Sequence, residues 1–128
     1  MKKNTILTIC LSLFLLGGLF SQQTVYVSAT GGGDNDGTSE ANARGSFGDA
    51  MNDINSEGDK LIIIGTVSTS GTNLTSKSFA FTIEGLDASS ALTGNGGTSR
   101  LFTINGASTA NVTFKDLTFS NYNTNLAG

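Results

Sequence analysis

Phe81-Thr82-Ile83-Glu84-Gly85-Leu86-Asp87 and Val112-Thr113-Phe114-Lys115-Asp116-Leu117-Thr118 share one form: apolar, Thr, apolar, charged, small or acidic, Leu, polar. A looser relative is Ile62-Ile63-Ile64-Gly65-Thr66-Val67. The step from Ile63 to Ile83 is 20 residues, and from Ile83 to Phe114 it is 31. A strand-like unit that returns with one polarity at such intervals points to stacked parallel strands, a parallel β-helix. The extra 11 residues of the second step fall beside Gly94-Asn95-Gly96-Gly97, where a coil tolerates an insertion. An antiparallel sandwich is the competing arrangement. Short strands, uneven turns and the constant polarity of the repeat favour parallel stacking. The residues expected to point inward are Ile62, Ile64, Phe79, Phe81, Ile83, Phe102, Ile104, Val112, Phe114, Leu117 and Phe119. The last two keep the inward side only if the chain bends at Lys115-Asp116, because one straight strand would put them on the opposite face.

Upstream, Lys60 to Val67 is a continuous apolar run and reads as a buried strand, followed by a polar turn over Ser68 to Ser78. Between Ser46 and Ser56 the period changes. Phe47, Ala50, Met51 and Ile54 lie at i, i+3, i+4 and i+7, one face of a helix. Ser46 can cap its start and Gly58 can end it. An amphipathic helix ahead of stacked strands predicts a lid over the open apolar end of the first layer. Thr24-Val25-Tyr26-Val27-Ser28 alternates like a strand with Val25 and Val27 on one face.

Between that strand and the helix lies Gly31-Gly32-Gly33-Asp34-Asn35-Asp36-Gly37-Thr38-Ser39-Glu40. Asp34, Asp36 and Glu40 carry the oxygen ligands calcium prefers, and Gly37 permits a sharp turn. The helix-loop-helix calcium spacing does not fit, because Gly32 and Ala43 would fall where carboxylates are required. An Asx-turn loop without metal is the favoured reading. Calcium is the one candidate ion, and no other cofactor is expected.

The leader carries Lys2 and Lys3, then an apolar run from Ile6 to Phe20, then Ser21-Gln22-Gln23. This is the layout of a secretory signal peptide, and the run is short for the ~20 apolar residues of a spanning helix. Cleavage is expected after Ser21, which predicts no membrane span in the mature chain. Three segments follow: a signal peptide over 1–21, a strand, loop and helix over 22–59, and stacked strands over 60–128.

The chain has 17 Gly and no Pro, Trp or His, and its formal charge is −3. Without the two leader lysines it holds 5 basic and 10 acidic side chains. Such a chain lacks the electrostatic footprint of a nucleic-acid or anionic-lipid binder. Its one cysteine, Cys10, lies in the leader. The mature chain therefore has no disulfide or thiolate site, and without His it cannot form a Ser-His or Cys-His catalytic unit.

Val25-Tyr26-Val27-Ser28, followed by Gly33-Asp34-Asn35-Asp36-Gly37-Thr38-Ser39 and then Phe47-Gly48-Asp49-Ala50-Met51, resembles the opening of secreted bacterial proteins of the pectin-lyase-like superfamily. Leu101-Phe102-Thr103-Ile104 and Asn111 to Phe119 are similar to polymorphic outer-membrane-protein repeats. The resemblance implies an all-β, right-handed parallel β-helix with a short N-terminal capping α-helix. It also implies secretion or display on the outer surface of a Gram-negative bacterium.

Family members include polysaccharide lyases, hydrolases and non-catalytic adhesins, so fold does not choose among them. The lyase pattern needs clustered acidic calcium ligands beside an Arg or Lys. Here Glu84, Asp87, Arg100, Lys115 and Asp116 are spread over different strands. No catalytic residue is assigned. The expected function is an adhesin-like or carbohydrate-binding scaffold for a polysaccharide or cell-surface ligand. The alternative is the N-terminal part of a lyase or hydrolase whose active strands lie beyond Gly128. Glu84 and Lys115 are expected to be cross-strand neighbours. Tyr26 and Tyr122 can stack on a sugar or pack on a sheet. Uncapped terminal strands predict self-association.

Overall fold

The computed structural model describes residues 21–69, 72–73, 77–94, 100–103 and 109–122. Residues 1–20 of the expected signal peptide (1–21), the inward position expected for Ile104, and the turn residues Asn95, Gly96 and Gly97 lie outside the described residues. No helix among the described residues is long and apolar enough to cross a membrane.

The elements are β1 (Thr24–Ser28), a 3-10 turn (Glu40–Asn42), α1 (Phe47–Asp53), β2 (Lys60–Ile64), β3 (Thr66–Thr69), β4 (Thr72–Asn73), β5 (Ala80–Gly85), β6 (Ala91–Gly94), β7 (Phe102–Thr103), β8 (Asn111–Lys115) and β9 (Thr118–Ser120). They form a four-stranded sheet in the order β1-β2-β5-β8, a three-stranded sheet β3-β6-β9 and a two-stranded pair β4-β7. Every pairing is parallel.

The repeat units are neighbours as expected, but only the second step keeps its register: Ile83 meets Phe114, whereas Ile63 meets Gly85 and not Ile83, two residues beyond the 20-residue step. Residues 61–63 pair with 83–85, and 80–84 with 111–115, both parallel. The larger architecture is corrected. The described strands make two main parallel sheets of seven strands, with one α-helix and no closed barrel. That strand direction is α/β-like and does not amount to the all-β, right-handed parallel β-helix expected. The physical reason is that a repeat of constant polarity specifies parallel neighbours. It does not specify the path and hand by which the chain returns between them.

The core lies on the inner sheet faces. Val25, Leu61, Ile83 and Phe114 occupy one register row, and Val27, Ile63 and Gly85 the next. From the three-stranded sheet, Val67 and Leu92 join the same cluster. The helix covers the β1 end as expected: Phe47, Ala50, Met51 and Ile54 are all buried. It spans Phe47–Asp53, and the Ser46 hydroxyl accepts from Asp49 N at 3.4 Å. Gly58, expected to end it, instead serves the following turn in a left-handed conformation (φ 82°).

The phase of β2 is also corrected. Leu61 and Ile63 point inward, while Ile62 is shielded at 8 % exposure on the other face, beside Tyr26 and Glu84. Ile64 is half-buried. Three consecutive isoleucines have no alternation to set a phase, so register with β1 and β5 decides it. Gly65 (φ 62°) then breaks the apolar run into β2 and β3. The expected polar turn over 68–78 contains the end of β3 and all of β4.

The bend at Lys115-Asp116 is present, with Asp116 left-handed (φ 50°) between β8 and β9. Val112 and Leu117 are partly buried against the core, as are Phe79 and Phe102. Phe114 and Phe119 are not enclosed, at 37 % and 44 % exposure, because they stand in the outermost strands of their sheets. This separates two substitutions that look equivalent in sequence. Ile83→Ala, at a fully buried site, should lower stability by about 3–4 kcal/mol. Phe114→Ala should lower it by only about 1–2 kcal/mol, since much of the ring is already in water. Urea denaturation midpoints of the two variants give the comparison directly.

Candidate functional site

The Gly/Asp loop is built as an edge cover. The edge of β1 is an unpaired strand edge that would recruit other strands if left open. Gly37 O accepts from Tyr26 N at 2.9 Å, Tyr26 O accepts from Arg44 N at 2.8 Å, and Arg44 O accepts from Ser28 N at 2.9 Å. The loop is drawn tight by Asn35, whose side-chain oxygen accepts from Gly45 N at 2.7 Å. The Arg44 guanidinium bonds Asn35 O and Asp53 Oδ2, each at 2.7 Å. Gly37 is left-handed (φ 76°), and a Cβ there would meet Val25 at 2.9 Å.

The three calcium candidates are occupied differently. The Asp36 carboxylate accepts from Thr38 N at 2.9 Å and Thr38 Oγ1 at 2.7 Å. Those bonds hold its carboxyl below the ordinary value. Asp34 places its backbone N–H on Asn42 Oδ1, and Glu40 opens the 3-10 turn. Asp34, Asp36 and Glu40 are not gathered into a cage. Among the described residues no group of three His, Cys, Asp or Glu side chains is placed to hold a metal ion. The Asp36–Thr38 bonds have the form of an Asx-turn.

A second group of carboxylates lines a shallow cleft of about 420 Å³, where the turns after β5 and β8 meet; Glu84, Asp87 and Asp116 border it. Here Asp87 and Glu84 have partners. The Asp87 carboxylate accepts from Ser89 N at 2.8 Å and Ser89 Oγ at 2.6 Å, which lowers its pKa. Glu84 lies 2.9 Å from Lys60 Nζ. That ammonium, with a smaller contribution from Lys115, holds the Glu84 carboxyl below its usual range. Glu84 and Lys115 are register partners, as expected, but the ion pair forms with Lys60. A carboxylate kept ionised by a neighbouring ammonium is a poor general acid.

What the fold does assemble is an outward face of mostly polar residues. On the outward side of the four-stranded sheet, Thr24, Lys60, Thr82 and Thr113 form one register row. Tyr26, Ile62, Glu84 and Lys115 form the next. Rows arise because parallel strands in register place equivalent side chains side by side, about 4.8 Å apart. Tyr26 is far from Glu84 and Lys115 along the chain, so only the register unites them. Tyr122 does not join this face. Its hydroxyl meets Thr69 Oγ1 at 2.6 Å and its ring packs against the core, which pushes its pKa up.

Two buried or half-buried charges were not legible as such. Asp59 is fully buried, and its carboxylate accepts from Gln23 N, Asn55 N and Ser56 N at 2.9–3.0 Å. Lys77, in the expected polar turn, donates to Met51 O at 2.8 Å and to Ile54 O, satisfying carbonyls at the end of α1. Its ammonium also lies 5.7 Å from the Phe79 ring. The only local signal is position: Asp59 directly precedes β2, and Lys77 lies three residues before β5. Comparison with protein-family models, curated proteins and solved structures found no match to this chain.

Proposed function

We propose that the protein is an exported, non-catalytic scaffold that binds carbohydrate on the outward face of the four-stranded sheet. The observation that carries this reading is the pair of register rows that sets Tyr26, Lys60, Thr82, Glu84, Thr113 and Lys115 on one face. An aromatic ring can stack on the apolar face of a sugar. The hydroxyls, the carboxylate and the ammonium groups can donate to and accept from its hydroxyls. A repeating polymer laid across the strands meets a new side chain every ~4.8 Å, a spacing suited to many weak contacts. The leader supports export, and the likeness of Val25 to Ser39 to secreted bacterial surface proteins supports the same location. The non-catalytic half rests on the partnered carboxylates described above.

The test uses the full chain against a panel of neutral and acidic polysaccharides, with and without calcium. Retardation in affinity gels is expected for at least one polymer. Tyr26→Ala and Lys115→Ala should each weaken it about tenfold, a loss of about 1.4 kcal/mol. Absence of retardation by every polymer, or variants that bind like the parent, would overturn the site. Release of unsaturated or reducing ends that is abolished in Lys115→Ala or Arg100→Ala would overturn the non-catalytic reading.

A further inference from the structure

The two ends of the four-stranded sheet are treated differently. The β1 edge is covered by hydrogen bonds to Gly37 and Arg44. At the other end, no strand among the described residues pairs with the outer edge of β8. Beside that edge stand Phe114 and Phe119, both more than a third exposed and in edge-to-face contact at 5.2 Å. Exposed aromatics beside an open strand edge mark an interaction surface.

The backbone shows which groups lack a strand partner among the described residues. Lys60 N donates to Gln23 O, Thr82 N to Asp59 O and Leu86 N to Ile63 O, so these even-numbered positions turn their peptide groups toward the preceding strand. Thr113 is the register partner of Thr82, and Lys115 of Glu84. By the alternation of a parallel ladder, Thr113 and Lys115 turn their peptide groups toward β5. The N–H and C=O groups of Val112 and Phe114 are left at the outer edge.

We propose that this edge recognises itself: a second copy of the chain pairs with β8 antiparallel, centred on Thr113. In that register Val112 lies opposite Phe114 of the second copy, and Phe114 opposite its Val112. The outer-edge groups of both residues then form two hydrogen-bonded pairs, while Thr113 meets its own copy in the non-hydrogen-bonded position between them. The side chains agree with the backbone. Phe114 and Val112 share the inner face, an aromatic against a β-branched residue, which is a favourable cross-strand pair. On the outer face Lys115 meets the amide of Asn111 and not another lysine. A shift of the centre to Phe114 would set the Asp116 carboxylate opposite inward Val112, at a residue whose φ of 50° is not that of a strand.

Sedimentation of the purified full chain over a wide concentration range reads the association, and a dimer that dissociates on dilution is expected. Phe114→Lys should move the dissociation midpoint at least about tenfold higher in concentration. Leu86→Ser, which removes an exposed apolar side chain from the turn between β5 and β6 and not from the edge, should leave the midpoint unchanged. The register is read separately with single cysteines in a Cys10→Ser background. Thr113→Cys should cross-link to itself on mild oxidation, because its copy lies directly opposite. Asn111→Cys and Lys115→Cys should each remain uncross-linked alone and cross-link when mixed. A chain that stays monomeric throughout, or Asn111→Cys cross-linking with itself as readily as Thr113→Cys, overturns the proposal. The cysteine series decides between these outcomes even if Phe114→Lys fails to fold.

Discussion

Asp59→Ala is expected to lower stability by about 4 kcal/mol or more. The wild-type carboxylate sits at zero exposure and accepts three backbone N–H groups, from Gln23, Asn55 and Ser56. Removing it leaves three donors without their acceptor, and each buried donor left unmade costs about 1–3 kcal/mol. The loss is comparable with the whole stability of a small domain, about 5–15 kcal/mol. The bonds also join distant segments. Gln23 leads into β1, Asn55 and Ser56 follow α1, and Asp59 itself precedes β2. Asp59→Asn should be less severe, because one oxygen remains, while its amide N–H₂ turns toward donors that need an acceptor. Urea titration followed by circular dichroism is the measurement. Equal midpoints for wild type and Asp59→Ala would show that these bonds are replaced by water.

Gly85→Ala is expected to cost about 3 kcal/mol and to loosen β8 and β9 first. A Cβ at position 85 would lie 2.1 Å from Asp116 O and 2.7 Å from Ser90 Cβ. The nearer atom is backbone and cannot swing aside as a side chain would, so the turn must shift as a unit, and overpacking of that kind costs about 1–3 kcal/mol or more. Asp116 is already in the left-handed region, which leaves the turn little conformational freedom. The shift would move Leu117 off the core and weaken the β6–β9 pairing at Ala91↔Thr118. Limited proteolysis should cut after Lys115 sooner in the variant. Gly48→Ala makes the control, since a Cβ there would meet only Ser46 Oγ at 3.7 Å. If both variants resist protease equally, the close approach at Gly85 is not a constraint.

Gly85 also shows why part of the fold was legible and part was not. Its place after Ile83-Glu84, matched by Asp116 after Phe114-Lys115, identifies a repeating turn. Nothing in that match reveals that one chain segment passes within contact of the other. The helix over Phe47–Asp53 was legible because four apolar residues at helical spacing and a capping Ser agree with one another. The inner positions of β5 were legible because Phe81 and Ile83 alternate with Thr82 and Glu84. Those of β2 were not, because Leu61-Ile62-Ile63-Ile64 suits either face equally well.

The candidate site divides the same way. Tyr26, Glu84 and Lys115 were each visible as unusual residues, and the pairing of Glu84 with Lys115 followed from the repeat. The row that unites them needed the β1–β2 and β2–β5 registers, which cross two loops of unrelated length. The Gly/Asp loop shows the limit most sharply. Its glycines and acids announce tight turns and oxygen ligands in any context. Whether those oxygens converge on an ion or bond their own backbone depends on where the loop is docked. Docking on the edge of β1, through Gly37 and Arg44, directs the loop to cover a strand edge.

Local pattern was enough to place the helix at Phe47–Asp53, the alternation of β1 and β5, the parallel direction of strand pairing and the lack of histidine and of any cysteine but Cys10, because period, polarity and residue type are properties of neighbours along the chain. The phase of β2, the burial of Asp59, the partners of Glu84 and the edge position of β8 among the described strands came from tertiary structure, because each depends on contacts between segments whose separation in space the order of residues does not encode.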